Sequence, residues 1–212
     1  MNDGNKEFAD ITEDAELEGV EAEGAVWADY DRDGNLDLFA FSNTKESRLY
    51  KNEGVFKDAV NLGTASAYGA AFADVDKDGC SDLLVLDGEN TLYKNIGTSF
   101  TAWTKLGDNS ARACGFFDLD NDLDLDLFLL NTGSFTVYGS DGSGNFVSST
   151  TYTLSLPVEG FSFSDADHDG DLDLYLALDD RKGDIFYEND GNGSFTQSVV
   201  GAEYKGYCKS AI

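Results

Sequence analysis

The chain has 212 residues, 41% of them hydrophobic and one of them proline, which is enough for one well-formed core and excludes a disordered polypeptide. Its formal charge of -27, from 41 acidic against 14 basic residues, would repel a nucleic-acid phosphate backbone or an anionic membrane surface. No apolar run approaches the ~20 residues of a membrane helix, and the acidic N-terminus is not a basic stretch followed by an apolar one, so any export signal is expected to be missing from this chain. Cys80, Cys114 and Cys208 are odd in number and widely spaced, so buried free thiols are expected rather than a disulfide framework or a zinc cluster.

Taken in chain order, the first residues, NDGNKEFADI, match a later segment, NDGNGSFTQS at 189–198, and read as one strand. Four copies of one unit follow. Each opens with a Gly- and Ala-rich stretch ending in an aromatic (GAVWAD, GAAFAD, ACGFFD, GFSFSD) and continues into an acidic loop. An apolar run comes next (LDLFAF, SDLLVL, LDLFLL, LDLYLA), then a tyrosine segment (RLYKN, TLYKN, TVYGS, IFYEN), then a phenylalanine segment (VFKDAV, SFTAWT, NFVSST, SFTQSV). The last residues, GYCKSAI, match a first strand. Loops start at Asp29, Asp74, Asp118 and Asp165, spaced by 45, 44 and 47 residues. A period of this size indicates a propeller or a solenoid, and four short strand candidates per unit, bounded by Gly, Asn and Asp, favour an all-β array.

Because the second strand of each unit is apolar on both alternating faces, it must be covered from both sides, as when blades stack around an axis. The predicted fold is therefore a β-propeller with four complete four-stranded blades, at about 24–63, 68–108, 112–156 and 159–201, plus an incomplete fifth. Residues 1–20 would give that closing blade its outer strand and 204–212 its inner one, the whole of 1–212 forming a single propeller domain or propeller segment. Three ways of completing the ring stay open: a larger propeller, two terminal strands meeting in a reduced blade, or self-association through the unpaired edges. The aromatics Trp27, Phe72, Phe116 and Phe163, Tyr50, Tyr93, Tyr138 and Tyr187, and Phe56, Phe100, Phe146 and Phe195 recur once per unit and are expected to pack between sheets.

The acidic loops are DYDRDGNLD (29–37), DVDKDGCSD (74–82), DLDNDLDLD (118–126) and DADHDGDLD (165–173). Aspartates at positions 1, 3, 5 and 9 gather hard oxygen donors, a position-7 carbonyl can add another, and a glycine at position 6 permits the turn, which is calcium chemistry. Two close carboxylates at an effective dielectric near 20 repel by about 4 kcal/mol, so a cation is needed among them. An EF-hand or a dockerin-like loop would need a carboxylate at position 12, where Ala40, Val85, Leu129 and Leu176 stand. Thrombospondin type 3 repeats would bring cysteines at a shorter period.

In the run strand, DxDxDGxxDL, apolar strand, LYxN, xGxF, the unit resembles the FG-GAP or VCBS-type repeat of integrin-α-like propellers, over nearly the whole chain. The resemblance implies calcium held by Asp29, Asp31, Asp33 and Asp37; by Asp74, Asp76, Asp78 and Asp82; by Asp118, Asp120, Asp122 and Asp126; and by Asp165, Asp167, Asp169 and Asp173. The carbonyls of Asn35, Cys80, Asp124 and Asp171 would take position 7. Leu123 replaces the glycine found at Gly34, Gly79 and Gly170, so the third site is expected to be the weakest.

The same resemblance implies an extracellular or cell-surface binding or adhesion module for a glycan or protein ligand, with calcium mainly structural. A polysaccharide-active scaffold of lyase or dehydratase type, or a purely structural propeller segment, are the alternatives. For an enzyme the sequence offers little: His168 is the only histidine and lies at the variable position 4 of a loop, and GxSxG, HExxH and phosphate-binding glycine loops are absent. Arg112, Trp103 and Arg181 break the repeat and are weak ligand-contact candidates.

Overall fold

The computed structural model describes residues 10–17, 19–60, 62–64, 66–107, 110–178 and 183–198. Within them the chain folds into four four-stranded antiparallel sheets, each a meander in chain order. The first contains β1 (Gly24–Ala28), β2 (Asp37–Phe41), β3 (Arg48–Asn52) and β4 (Phe56–Val60). The second contains β5 (Ala70–Ala73), β6 (Asp82–Val85), β7 (Thr91–Asn95) and β8 (Phe100–Lys105). The third contains β9 (Ala111–Phe117), β10 (Asp126–Asn131), β11 (Ser134–Ser140) and β12 (Phe146–Thr153). The fourth contains β13 (Val158–Ser164), β14 (Asp173–Leu178), β15 (Ile185–Asn189) and β16 (Phe195–Ser198). No helix of the described residues is long and apolar enough to cross a membrane. The expected inner closing strand at 204–212, and residues 1–9 of the expected outer one, lie outside the described residues.

The chain divides into two compact units, one holding the first two sheets and the other the last two together with residues 75–77. The register repeats across all four sheets. Trp27, Leu38 and Tyr50 lie side by side on β1, β2 and β3, as do Phe72, Leu83 and Tyr93 on β5, β6 and β7. Phe116, Leu127 and Tyr138, then Phe163, Leu174 and Tyr187, fill the same places further along. A side-chain period of two makes any one-residue slip expose this whole row, so the register is strongly specified.

The apolar second strands are buried, every residue of β6 and β10 included, as strands covered on both faces must be. In the first unit Phe39 and Leu49 pack with Leu83, Val85 and Tyr93 of the neighbouring sheet, and Tyr30 and Ala67 join them. On the opposite face of the first sheet Leu17, Val20 and Phe56 pack against Leu38, Ala40 and Tyr50. Trp27 departs from the expected burial: it is 53% exposed and meets Phe56 edge-on at 5.8 Å. Gly24 is needed in β1 because the Phe41 ring occupies the space a Cβ would take.

The second unit is more aromatic. Phe135 is fully buried, stacked on Tyr152 at 4.5 Å and edge-on to Tyr187 at 5.1 Å, while Phe128 contacts Phe161 at 4.7 Å and Phe163 at 5.1 Å. Such ring pairs add about 0.5–1.5 kcal/mol each beyond the area they bury. Phe135→Ala should therefore lower the stability of the second unit by about 3–5 kcal/mol in guanidinium unfolding of the full chain, a larger loss than Trp27→Ala causes in the first.

Candidate metal centres

Each acidic loop connects the first and second strands of its sheet, and the two strands fix its ends. Between them the backbone turns left-handed twice. Position 4 has a positive φ in every loop, at Arg32 (60°), Lys77 (59°), Asn121 (61°) and His168 (68°). Position 6 does so too, at Gly34 (92°), Gly79 (84°), Gly170 (100°) and, without a glycine, Leu123 (69°). Leu123 is 78% exposed, so its side chain contributes little burial against that strain.

The turns point backbone N–H groups inward at the carboxylates. In the first loop Asp33 N donates to Asp29 Oδ1 at 3.0 Å, Gly34 N to Asp29 Oδ2 at 3.0 Å, and Asn35 N to Asp33 Oδ1 at 2.9 Å. The second loop repeats these three with Asp78, Gly79 and Cys80 as donors at 3.0, 2.9 and 2.9 Å. In the third, Leu123 N reaches Asp118 Oδ2 at 3.2 Å and Asp124 N reaches Asp122 Oδ1 at 2.8 Å; in the fourth, Asp171 N reaches Asp169 Oδ1 at 3.0 Å.

This geometry brings the carboxylates of positions 1, 3 and 5 together: Asp29, Asp31 and Asp33; Asp74, Asp76 and Asp78; Asp118, Asp120 and Asp122; Asp165, Asp167 and Asp169. In each group one oxygen per residue lies within 4.8 Å of the others. Buried atoms Oδ1 of Asp118 and Oδ1 of Asp165 accept no hydrogen bond among the described residues. A buried carboxylate oxygen without a donor is costly, so an oxygen-seeking cation suits these groups. In the third loop burial and the neighbouring Asp122 charge raise the pKa of Asp120, whereas in the first the Asn35 N–H and then Lys51 outweigh desolvation and lower that of Asp33.

Position 9 does something further. Asp37, Asp82, Asp126 and Asp173 open β2, β6, β10 and β14 and are buried, with exposures of 0, 0, 2 and 2%. Asp37 accepts Tyr30 N at 3.2 Å and Asn52 N at 2.8 Å; Asp126 accepts Leu119 N at 3.0 Å and Ser140 N at 2.9 Å. Asp173 accepts Ala166 N at 3.1 Å and Asn189 N at 3.0 Å, and Asp82 accepts Asn95 N at 2.8 Å. One carboxylate thus pins its own loop to the end of the third strand. Burial raises the pKa of Asp37 and Asp126 against these N–H donors.

The asparagine that ends the third strand is also more than a turn residue. Asn95 Nδ2 donates to Ser81 O at 3.1 Å in its own loop and to Tyr30 O at 2.7 Å in the preceding one. Asn189 Nδ2 donates in the same way to Leu172 O at 3.2 Å and Leu119 O at 2.8 Å. The LYxN motif announced a recurring place in the unit, but only the folded register shows the reach to the loop before.

Lysines enter the loops as well. Lys51 on β3 pairs with Asp31 and lies 3.2 Å from Asp33, and Lys94 on β7 lies 3.1 Å from Asp78. The difference between LYKN in the first two units and TVYGS and IFYEN in the others was the sequence signal for them. Lys77 of the second loop pairs with Asp124 of the third, and Asn121 Nδ2 donates to Asp171 Oδ1 of the fourth at 2.5 Å. His168 is an exposed loop residue, Arg112 is exposed on β9, and Trp103 lies under the Lys94 ammonium at 4.8 Å. Arg181 and Cys208 lie outside the described residues; Cys80 and Cys114 are free thiols, and burial pushes that of Cys114 up to about 12.

Residues 29–85 and 118–176 match the FG-GAP-like repeat. Comparison with curated proteins finds no match. Among solved structures the chain is similar to an Agrocybe aegerita lectin, described by its specific recognition of non-reducing terminal N-acetylglucosamine, at 19% identity and a TM-score of 0.57, over 81% of this chain and 50% of the lectin chain. It is similar at 17% identity and a TM-score of 0.44 to the Tc holotoxin pore of Photorhabdus luminescens, over 84% of this chain and 9% of that one. The chain thus spans half the length of the lectin.

Two outcomes follow from the loop geometry. Asp126→Ala leaves two buried N–H groups without an acceptor and should cost about 2–3 kcal/mol in guanidinium unfolding, with Asp126→Asn, which keeps one acceptor, costing less. Leu123→Gly should stabilise the chain by about 1 kcal/mol in the same measurement, because the left-handed turn no longer carries a Cβ.

Proposed function

Since the chain belongs to the FG-GAP-like repeat family, we propose that it is a calcium-braced β-propeller module that binds a glycan or protein ligand outside the cell. The observation that carries the calcium part is the fourfold recurrence of three converging carboxylates, two of the groups with a buried oxygen that has no donor among the described residues. Oxygen-only donors at that spacing fit calcium, whereas zinc would want His or Cys and magnesium a wetter shell. In this reading Asp29, Asp31 and Asp33 hold the first ion, Asp74, Asp76 and Asp78 the second, Asp118, Asp120 and Asp122 the third, and Asp165, Asp167 and Asp169 the fourth. The carbonyls of Asn35, Cys80, Asp124 and Asp171 complete them. Each oxygen of Asp37, Asp126 and Asp173, and Oδ1 of Asp82, keeps a lone pair after accepting one N–H, so these residues serve fold and ion together.

In this reading the four sheets are blades of a ring, a reading supported by the packing of the first sheet on the second and of the third on the fourth. Calcium is the scaffold, and a site of modest affinity is filled in the millimolar calcium outside cells. The binding reading draws on the likeness to the lectin fold and on a cavity of about 700 Å³ on the outer face of the first sheet. Tyr50 and Phe56 lie at that cavity among Glu16, Glu46, Lys45 and Arg48, an aromatic and polar lining of a size that takes a small ligand.

Calcium removal tests the scaffold. At a concentration a hundredfold above the dissociation constant each occupied site adds about 2.7 kcal/mol to stability, so chelation should lower the melting temperature steeply and restored calcium should return it. A glycan and protein-ligand screen run with calcium and again with chelator should give binding only in the first. No ligand in either would count against a binding module, and turnover of a polysaccharide would replace it with an enzyme.

A further inference from the structure

Four loops of nearly one sequence are not in one electrostatic state. In the first unit a lysine from the third strand of the sheet reaches into the carboxylate group of its own loop. The Lys51 ammonium meets both Asp31 and Asp33, and these three side chains are only 28, 4 and 30% exposed. The Lys94 ammonium meets Asp78 at 3.1 Å and is backed by the Trp103 ring at 4.8 Å. The matching register places in the other two sheets are Gly139 on β11 and Glu188 on β15, which bring no cation. These are the loops whose position-1 aspartates, Asp118 and Asp165, carry the buried oxygens with no donor among the described residues.

Resting on the reading of these loops as calcium sites, we infer that Lys51 and Lys94 are tethered competitors of the ion, so that the first and second loops bind calcium more weakly than the third and fourth. An ammonium on a four-carbon stem offsets one of the two charges of a position-3 and position-5 pair, as Lys51 does between Asp31 and Asp33, and a divalent ion taking the same oxygens must displace it. Both states are then available to the first unit: braced by its own lysines when calcium is scarce and by the ion when it is plentiful. Lys94 keeps the Trp103 face as a resting place once displaced, while Lys51 swings to solvent. Among the described residues no lysine bonds to a position-3 or position-5 carboxylate of the third or fourth loop.

Lys77 is a different case. It pairs with Asp124, at position 7, whose side chain is not one of the three that converge; its charge reaches Asp122 and Asp118 only through space, from a side chain that is 52% exposed. Strain at Leu123 does not reverse the ranking either. Its positive φ is already present in the loop as it stands, so it weighs on folding rather than on ion binding, and the expectation that the third site is weakest gives way to a division between the two pairs of loops.

Calorimetric titration of the chelator-stripped full chain with calcium alone decides it. Wild type should show two tighter and two weaker sites. Lys51→Met should tighten one weak site and Lys94→Met the other, each roughly tenfold. The converse change, Glu188→Lys on the exposed face of β15, should weaken one tight site roughly tenfold without threatening the fold. Melting in chelator supplies a second readout: Lys51→Met should melt lower than wild type there and equal to it in excess calcium. Four sites of one affinity, unmoved by all three substitutions, would overturn the proposal and leave the calcium reading standing. No calcium heat from any protein would overturn both.

Discussion

A buried aspartate at the start of each second strand joins three stretches of chain that would otherwise be independent. Its two oxygens take one N–H from the acidic loop and one from the end of the third strand, as at Asp37, Asp126 and Asp173, so loop, second strand and third strand are set against each other at a single residue. An ionised carboxylate that accepts two backbone donors is held where an isolated one would be too costly to bury. The orientation of the other three aspartates follows, because the loop leaves a pinned end and must turn left-handed twice before it gets there.

That constraint makes the loops places where negative charge collects by geometry. Positions 1, 3 and 5 are turned toward one another, and the chain answers in two ways. In the first unit it supplies lysines, and in the second, among the described residues, it leaves a buried oxygen without a donor at Asp118 and at Asp165. The net charge of -27 is therefore not a uniform coat but a set of concentrated demands for cations, which differ in kind from one sheet to the next.

Strand placement and the four-sheet organisation were legible in the sequence because each unit repeats its apolar run, its turn residues and its aromatics in phase. The convergence of positions 1, 3 and 5 was legible for the same reason, since spacing two apart in a tight loop turns side chains to one centre. Trp27 was not: it shares the register of Phe72, Phe116 and Phe163, and Phe56 meets it as Phe195 meets Phe163, but no ring pairs with it as Phe128 does with Phe163, and it stays 53% exposed. The double duty of Asp37 and its equivalents, the reach of Asn95 and Asn189, and the approach of Lys51 and Lys94 depend on which residues the register sets beside the loop. Those distances are between residues far apart in the chain, and the sequence pattern carries no measure of them.

The asparagines carry a consequence for how such a chain can be rearranged. Asn95 and Asn189 each donate into the loop of the preceding repeat, to Tyr30 O and Leu119 O, whereas Ser140 stands at that place in the third sheet. Cutting between the first and second repeats, or between the third and fourth, parts a buried amide from its carbonyl on both sides of the cut. The smallest brick that duplication or recombination could move without leaving such a loose end is accordingly a couplet of repeats, not a single one.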